Sequence, residues 1–171
     1  MGRTINQRTA GSRARWCPML VIAACCFVLF VCSCEQGAVI DEFRAIPERD
    51  WAYSFHPSFD VPIKDTTQAY DLKLNLRVTG EYKYSNIYVL VRQRNPNGKT
   101  NTDRVQLKLA DADGRWLGQG GGGLYTYQAA FKRRYYFPDT GTYKIEIEQN
   151  MRDNPLKQVS DIGVCVVPSR Q

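Results

Sequence analysis

An all-β chain, folded as an antiparallel sandwich of about seven or eight strands, is the fold class that this sequence predicts. Three observations lead to it. Apolar and polar residues alternate with period two over several stretches, turn-forming Asn, Asp, Gly and Pro cluster between them, and no stretch of useful length has helical periodicity. The 171 residues, 43% hydrophobic and 23% charged, suit one globular domain with an appendage. The expected boundaries are 1–33 for an N-terminal signal segment, 34–46 for a tether, 47–168 for the sandwich and 169–171 for a C-terminal tail.

The appendage comes first. Arg3, Arg8, Arg13 and Arg15 precede the first acid, and from Trp16 to Cys34 there is no charge, which is a basic region followed by an apolar one. As a helix that uncharged run would span about 28 Å, just short of the roughly 30 Å hydrocarbon core. The strongly apolar part, Met19 to Cys32, is shorter and follows the breaker Pro18. Val31-Cys32-Ser33-Cys34 then places an aliphatic residue three positions before a cysteine and a small one directly before it. This resembles a bacterial lipobox. Ser33 would be the last residue of the lipoprotein signal peptide, and Cys34 the lipidated mature N-terminus. Cys32 fits less well because branched Val31 precedes it. The competing reading is an uncleaved N-terminal anchor.

Of the six cysteines, Cys17, Cys25, Cys26 and Cys32 leave with the signal. With Cys34 acylated, Cys165 has no partner, and its apolar run Ile162 to Val167 assigns it the role of a small buried hydrophobe. Cleavage also removes four arginines, so the formal net charge falls from +6 to +2. That excludes a nucleic-acid footprint. Lys132-Arg133-Arg134, the remaining basic cluster, reads as a solvated face.

Cys34 to Ile46 has no periodic pattern and reads as a tether closed by Pro47. The clearest strand alternates Tyr70, Leu72, Leu74, Leu76 and Val78 with polar residues. Ile87, Val89 and Val91 form the next, and apolar Tyr88 and Leu90 on its other face make it a central strand. Asn95-Pro96-Asn97-Gly98 is a turn, followed by the alternation of Val105, Leu107 and Leu109. Further strands are read at Leu124–Phe131, Arg133–Phe137, Tyr143–Gln149 and Ile162–Val167, and one helical turn is expected between Asn150 and Asp161. Trp51, Trp116 and several of the ten tyrosines would fill the core.

Tests for chemistry return mostly structural readings. The run Gly118-Gln119-Gly120-Gly121-Gly122-Gly123 lacks the Lys-Ser/Thr end and flanking elements of a phosphate loop, so a flexible loop is expected. Asp111-Ala112-Asp113-Gly114 lacks the later ligands of a calcium loop and reads as a turn. Glu146 and Glu148 alternate with Ile145 and Ile147, as the solvent face of a strand does. The one histidine, His56, is an isolated imidazole, and no Gly-x-Ser-x-Gly is present. No catalytic residue, metal site or cofactor is assigned, nor any small-molecule substrate. Tyr82, Tyr84 and Trp116 are the candidate binding surface, as aromatic rings give contact area at low entropic cost.

Several stretches taken together resemble one family, the gliding-motility lipoprotein GldH of Bacteroidota. They are Ile46-Pro47 with Trp51; Tyr70 to Arg77 leading into Tyr82-Lys83-Tyr84-Ser85-Asn86-Ile87-Tyr88; Leu109-Ala110-Asp111 with Gly114-Arg115-Trp116-Leu117-Gly118; Gly141-Thr142-Tyr143 running to Gln149-Asn150-Met151-Arg152; and Leu156 with Ser160-Asp161-Ile162-Gly163. After Leu156-Lys157 the pattern would have a glycine, and Gln158 stands there. The resemblance implies a non-enzymatic accessory component of the gliding machinery linked to type IX secretion, partnered by other gliding or secretion proteins. It also implies a lipid anchor in the outer membrane, periplasm-facing because only Glu35 follows Cys34. The alternative is a carbohydrate-binding or envelope-maintenance lipoprotein.

Overall fold

The computed structural model describes Gly2 and residues 37–170. Cys34 and the signal segment apart from Gly2 lie outside the described residues. In chain order the elements are β1 (Ile40–Ala45), a 3-10 turn (Pro47–Arg49), β2 (Asp50–Trp51), β3 (Ser58–Ile63), β4 (Tyr70–Thr79), β5 (Asn86–Arg94), β6 (Thr100–Lys108), β7 (Gln119–Gly121), β8 (Leu124–Tyr135), β9 (Gly141–Gln149), β10 (Leu156–Lys157) and β11 (Val159–Pro168). A five-stranded sheet runs β1-β11-β4-β8-β7 and a four-stranded sheet runs β3-β9-β5-β6, while β10 and β2 pair by themselves. Neighbours are antiparallel throughout.

One apolar cluster holds the two sheets together. Leu72, Leu74, Leu76 and Val78 of β4 and Ile162, Val164 and Val166 of β11 share it with Ile87, Val89 and Val91 of β5, Tyr143, Ile145 and Ile147 of β9, and Phe59 and Val61 of β3. Each set sits at alternate positions, because successive side chains of a strand point to opposite faces. Strand β4 lies between β11 and β8, and β5 lies between β9 and β6. The fully alternating strand and the one predicted to be central are therefore both interior strands.

Eight strands have six residues or more, which agrees with the predicted count. Several details differ. The tether expected over 34–46 gives way to β1 at residue 40, which pairs with β11 from Ile40↔Val166 to Ala45↔Asp161. Ile46, at the end of that segment, is buried. As an edge strand with little of its surface covered, β1 carries no clean apolar alternation to read. Strand β3 was concealed by Pro62, which is tolerated there because β3 is an edge strand.

The two strands expected over Leu124–Phe131 and Arg133–Phe137 are one, bent where the register against β4 shifts and where Arg134 takes φ +50°. No helical turn forms between Asn150 and Asp161. That segment carries β10, and the 3-10 turn lies at Pro47–Arg49 instead.

The glycine run is a hairpin and not the flexible loop expected. Gly121 pairs with Leu124, leaving Gly122 (φ +69°) and Gly123 (φ +86°) as a two-residue turn with both φ values positive. At Gly120 a Cβ would lie 2.3 Å from the Leu124 carbonyl oxygen. Gln158, standing where the resemblance would place glycine, has φ +69°. Its side chain is tied down by hydrogen bonds from Thr79 Oγ1 (2.7 Å) and to Glu81 (3.1 Å), so local bonding holds a conformation that glycine adopts without strain.

Gly163, in the middle of β11, meets a different limit. A Cβ there would stand 2.3 Å from the Glu42 carbonyl oxygen and 3.2 Å from both Asn75 Cβ and Phe43 Cδ1. Gly163→Ala is expected to destabilise the fold by about 1–3 kcal/mol, read as a lowered denaturation midpoint, and to loosen β1 from β11. Hydrogen exchange of the β1 amides should rise more than that of β9, and uniform exchange at wild-type rates would count against this packing.

Candidate functional site

One member of the predicted aromatic surface lies in the core. Tyr82 is buried, its ring inside the core cluster and its hydroxyl donating to the Asn86 carbonyl at 3.2 Å. Burial, the main cause, pushes its pKa far up. The backbone turn closed by Tyr82 N–H on the Thr79 carbonyl (3.1 Å) precedes it, and inward placement of the ring is a tertiary outcome that the local polar sequence does not signal. Tyr84 is half-buried, set edge-on to Tyr82 with ring centroids 5.9 Å apart. Its hydroxyl donates to Asp153 Oδ2 at 2.7 Å. Trp116 belongs to a second pair with Tyr125, at 5.4 Å, and is half-buried. Tyr82 is thus corrected from surface to core.

The remaining candidates hold structural partners. His56 is exposed, 3.8 Å from Glu148, which is itself ion-paired with Arg92. Among the described residues no hydroxyl or thiol is hydrogen-bonded to that imidazole. Asp111 accepts from the Asp113 and Arg115 amides and from the Arg115 guanidinium, and the Arg115 hydrogen bonds hold its pKa below the usual carboxylate value. This is the turn expected. Within the basic cluster, Lys132 pairs with Asp103 of β6 at 2.8 Å and lies over the Tyr135 ring, while Arg133 and Arg134 face solvent.

The best-organised polar group lies on the outward face of the five-stranded sheet. Lys73, Asn75 and Arg77 alternate with the buried leucines of β4 and so point away from the core. Asn75 faces outward yet is only 2% exposed. Its Nδ2 donates to Asp41 Oδ1 of β1 (2.7 Å), its Oδ1 accepts from Gln128 Nε2 of β8 (2.9 Å), and Lys73 Nζ donates to Gln128 Oε1 (3.3 Å). The chain of contacts crosses the sheet because the register sets Asn75 opposite Gly163 on one side and Gln128 on the other.

Beside it the Arg77 guanidinium lies 4.3 Å from the centre of the Phe43 ring. A cleft of about 630 Å³ opens above, lined by Asp41, Phe43, Asn75, Gln128, Thr126 and Gln119, among others. Cys165 is buried as expected, but on this outward face, opposite Asp41 and Lys73, and outside the intersheet core. Burial raises its thiol pKa.

No sequence signal marked Asn75, since Lys73-Leu74-Asn75-Leu76-Arg77 reads as a strand with an ordinary wet face. A trace lay in β11, where Gly163 and Cys165 put two small residues at consecutive outward positions.

The profile of the GldH lipoprotein family matches residues 38–166, from the residue before Val39 to within two residues of the end of β11. The chain belongs to the GldH lipoprotein family. Two relatives match over most of both chains. The gliding motility lipoprotein GldH homolog of Christiangramia forsetii is 30% identical over 149 residues, covering 83% of this chain and 91% of that protein. The gliding motility lipoprotein GldH of Flavobacterium johnsoniae is 29% identical over 152 residues, covering 85% and 91%. Among solved structures, a carbohydrate-binding module specific for non-crystalline cellulose superposes with a TM-score of 0.44 at 12% identity, over 77% of this chain and 75% of the module. That likeness is too loose to bear on function.

Proposed function

We propose that this family member is a non-enzymatic, outer-membrane-anchored lipoprotein that acts as an accessory component of the gliding machinery linked to type IX secretion. The observation that carries the reading is the family match, which takes in the sandwich from its first strand to its last. Acylated Cys34 anchors it, five residues before Val39, whose N–H donates to the Val166 carbonyl at 2.8 Å. The periplasm-facing orientation rests on the single acid, Glu35, after the lipidated cysteine. A non-enzymatic role is supported by the arrangement around His56, whose neighbour Glu148 is neutralised by Arg92. Gliding and secretion proteins are its partners.

Deletion of the gene is expected to abolish colony spreading, or, in a strain that does not glide, export of type IX cargo. Complementation with the full-length gene should restore it. A clean deletion with spreading and cargo export both at wild-type level would overturn the proposal.

A further inference from the structure

The cleft over the five-stranded sheet is built from polar atoms that the fold holds in place. At about 630 Å³ it lies within the usual size range of ligand sites, where a few fixed polar groups set orientation. In the row that runs Phe43, Gly163, Asn75, Gln128 across the sheet, Gly163 has no side chain to fill the space between its neighbours. Asn75 and Gln128 are oriented by the bonds to Asp41, to each other and from Lys73. Each carboxamide keeps a second N–H and a second lone pair beyond those bonds. Thr126, Gln119 and Gln106 add further uncharged donors and acceptors along the wall.

Charge and backbone narrow the ligand. The lining carries one acid, Asp41, and one base, Lys108, and Arg77 nearby is drawn to Asp161 at 3.9 Å as well as to the Phe43 ring. The cleft therefore carries no concentrated charge of the kind that selects a phosphate or carboxylate. The edge strands β1, β6 and β7 border the cleft, but its hydrogen-bonded line is made of the side chains of Asp41, Asn75 and Gln128 and not of the backbone groups that an extended peptide pairs with. Asn75, Gln106, Gln119, Thr126 and Gln128 each donate and accept, and these neutral groups outnumber the two charges beside the Phe43 ring.

We infer that this cleft binds a neutral oligosaccharide. The carboxamides and Asp41 meet vicinal hydroxyls, which themselves both donate and accept, and Phe43 receives the apolar face of a sugar ring. The inference does not depend on the proposed gliding role. Absence of sugar binding with gliding lost on deletion would refute the former alone.

The test titrates the full-length lipoprotein in detergent micelles, by calorimetry, with neutral hexose and N-acetylhexosamine oligosaccharides. Inorganic phosphate and unrelated extended peptides are titrated in parallel. Saturable binding of at least one neutral oligosaccharide is expected, weakened about tenfold by Gln128→Ala or by Asp41→Ala, the factor set by losing one good hydrogen bond. Both residues are exposed, so truncating them leaves the core intact, and unchanged melting of each variant checks this. Tyr84→Phe, away from the cleft, should bind as the wild type does. No saturable binding by any neutral sugar, binding unaffected by both variants, or binding of phosphate or peptide alone would each overturn the inference.

Discussion

Cys34→Ala is expected to abolish incorporation of labelled palmitate and to move the protein from the membrane pellet to the soluble fraction. The effect is large because the proposed anchoring is all in the acyl chains. Each buried CH₂ contributes about 0.8 kcal/mol, and a single myristoyl chain alone gives an association constant of only about 10⁴ M⁻¹. Removing every chain leaves a domain of low net charge with no comparable hold on the bilayer. Cys32→Ala should label normally, since the small Ser33 precedes Cys34 whereas branched Val31 precedes Cys32. Continued labelling of the Cys34→Ala protein would return residues 16–34 to the uncleaved anchor reading.

Trp51→Ala is expected to lower the unfolding free energy by about 3–5 kcal/mol, the range for truncating a large buried aromatic. Folded domains are stable by only about 5–15 kcal/mol in total, so this one change would consume a large part of the margin. Trp51 is fully buried, pairs through β2 with Leu156 of β10, and donates its indole N–H to the Phe55 carbonyl at 2.9 Å. Trp51→Phe separates the two contributions: it keeps most of the apolar area, leaves the carbonyl without its donor, and should cost less, chiefly about 1 kcal/mol for the lost hydrogen bond. Chemical denaturation of both variants checks the order. Equal midpoints for wild type and Trp51→Ala would show that the small β2–β10 sheet contributes nothing to the fold.

Legibility along the chain followed how each strand is buried. Strands β4, β5 and β9 each cover the core with one face and show another to solvent or to half-buried side chains, so their period-two pattern is written in the residues themselves. Strand β1 lies at an edge and buries little, and Pro62 interrupts β3, so both were absent from the pattern. The glycine run illustrates a different gap. Composition alone suggests slack chain, yet pairing with β8 and two positive φ values turn the same residues into an ordered hairpin. At Gln158 the departure from the family pattern fell on a left-handed residue, a conformational demand that only the folded chain displays.

The candidate site was less legible than the fold. Tyr82, Tyr84 and Trp116 stood out because aromatic residues in a polar turn suggest exposed rings. The structure buries Tyr82 and satisfies its hydroxyl on a backbone carbonyl. Asn75 and Gln128 drew no notice because an uncharged polar residue at an outward strand position normally faces water.

By itself the sequence determined the all-β class, the period-two pattern of β4, the interior placement of β5, and the lipobox-like order of residues 31–34 on which the proposed lipidation of Cys34 rests. These follow from local order: alternation along a strand and identity at three adjacent positions. The tertiary structure alone decided that β1 belongs to the sandwich, that Tyr82 is core, and that Asp41, Asn75, Gln128 and Lys73 form one polar line across a cleft. Those residues lie on three strands far apart in the chain. Strand register, fixed by burying the opposite face of each strand, sets them side by side, and no local pattern encodes which outward residue meets which.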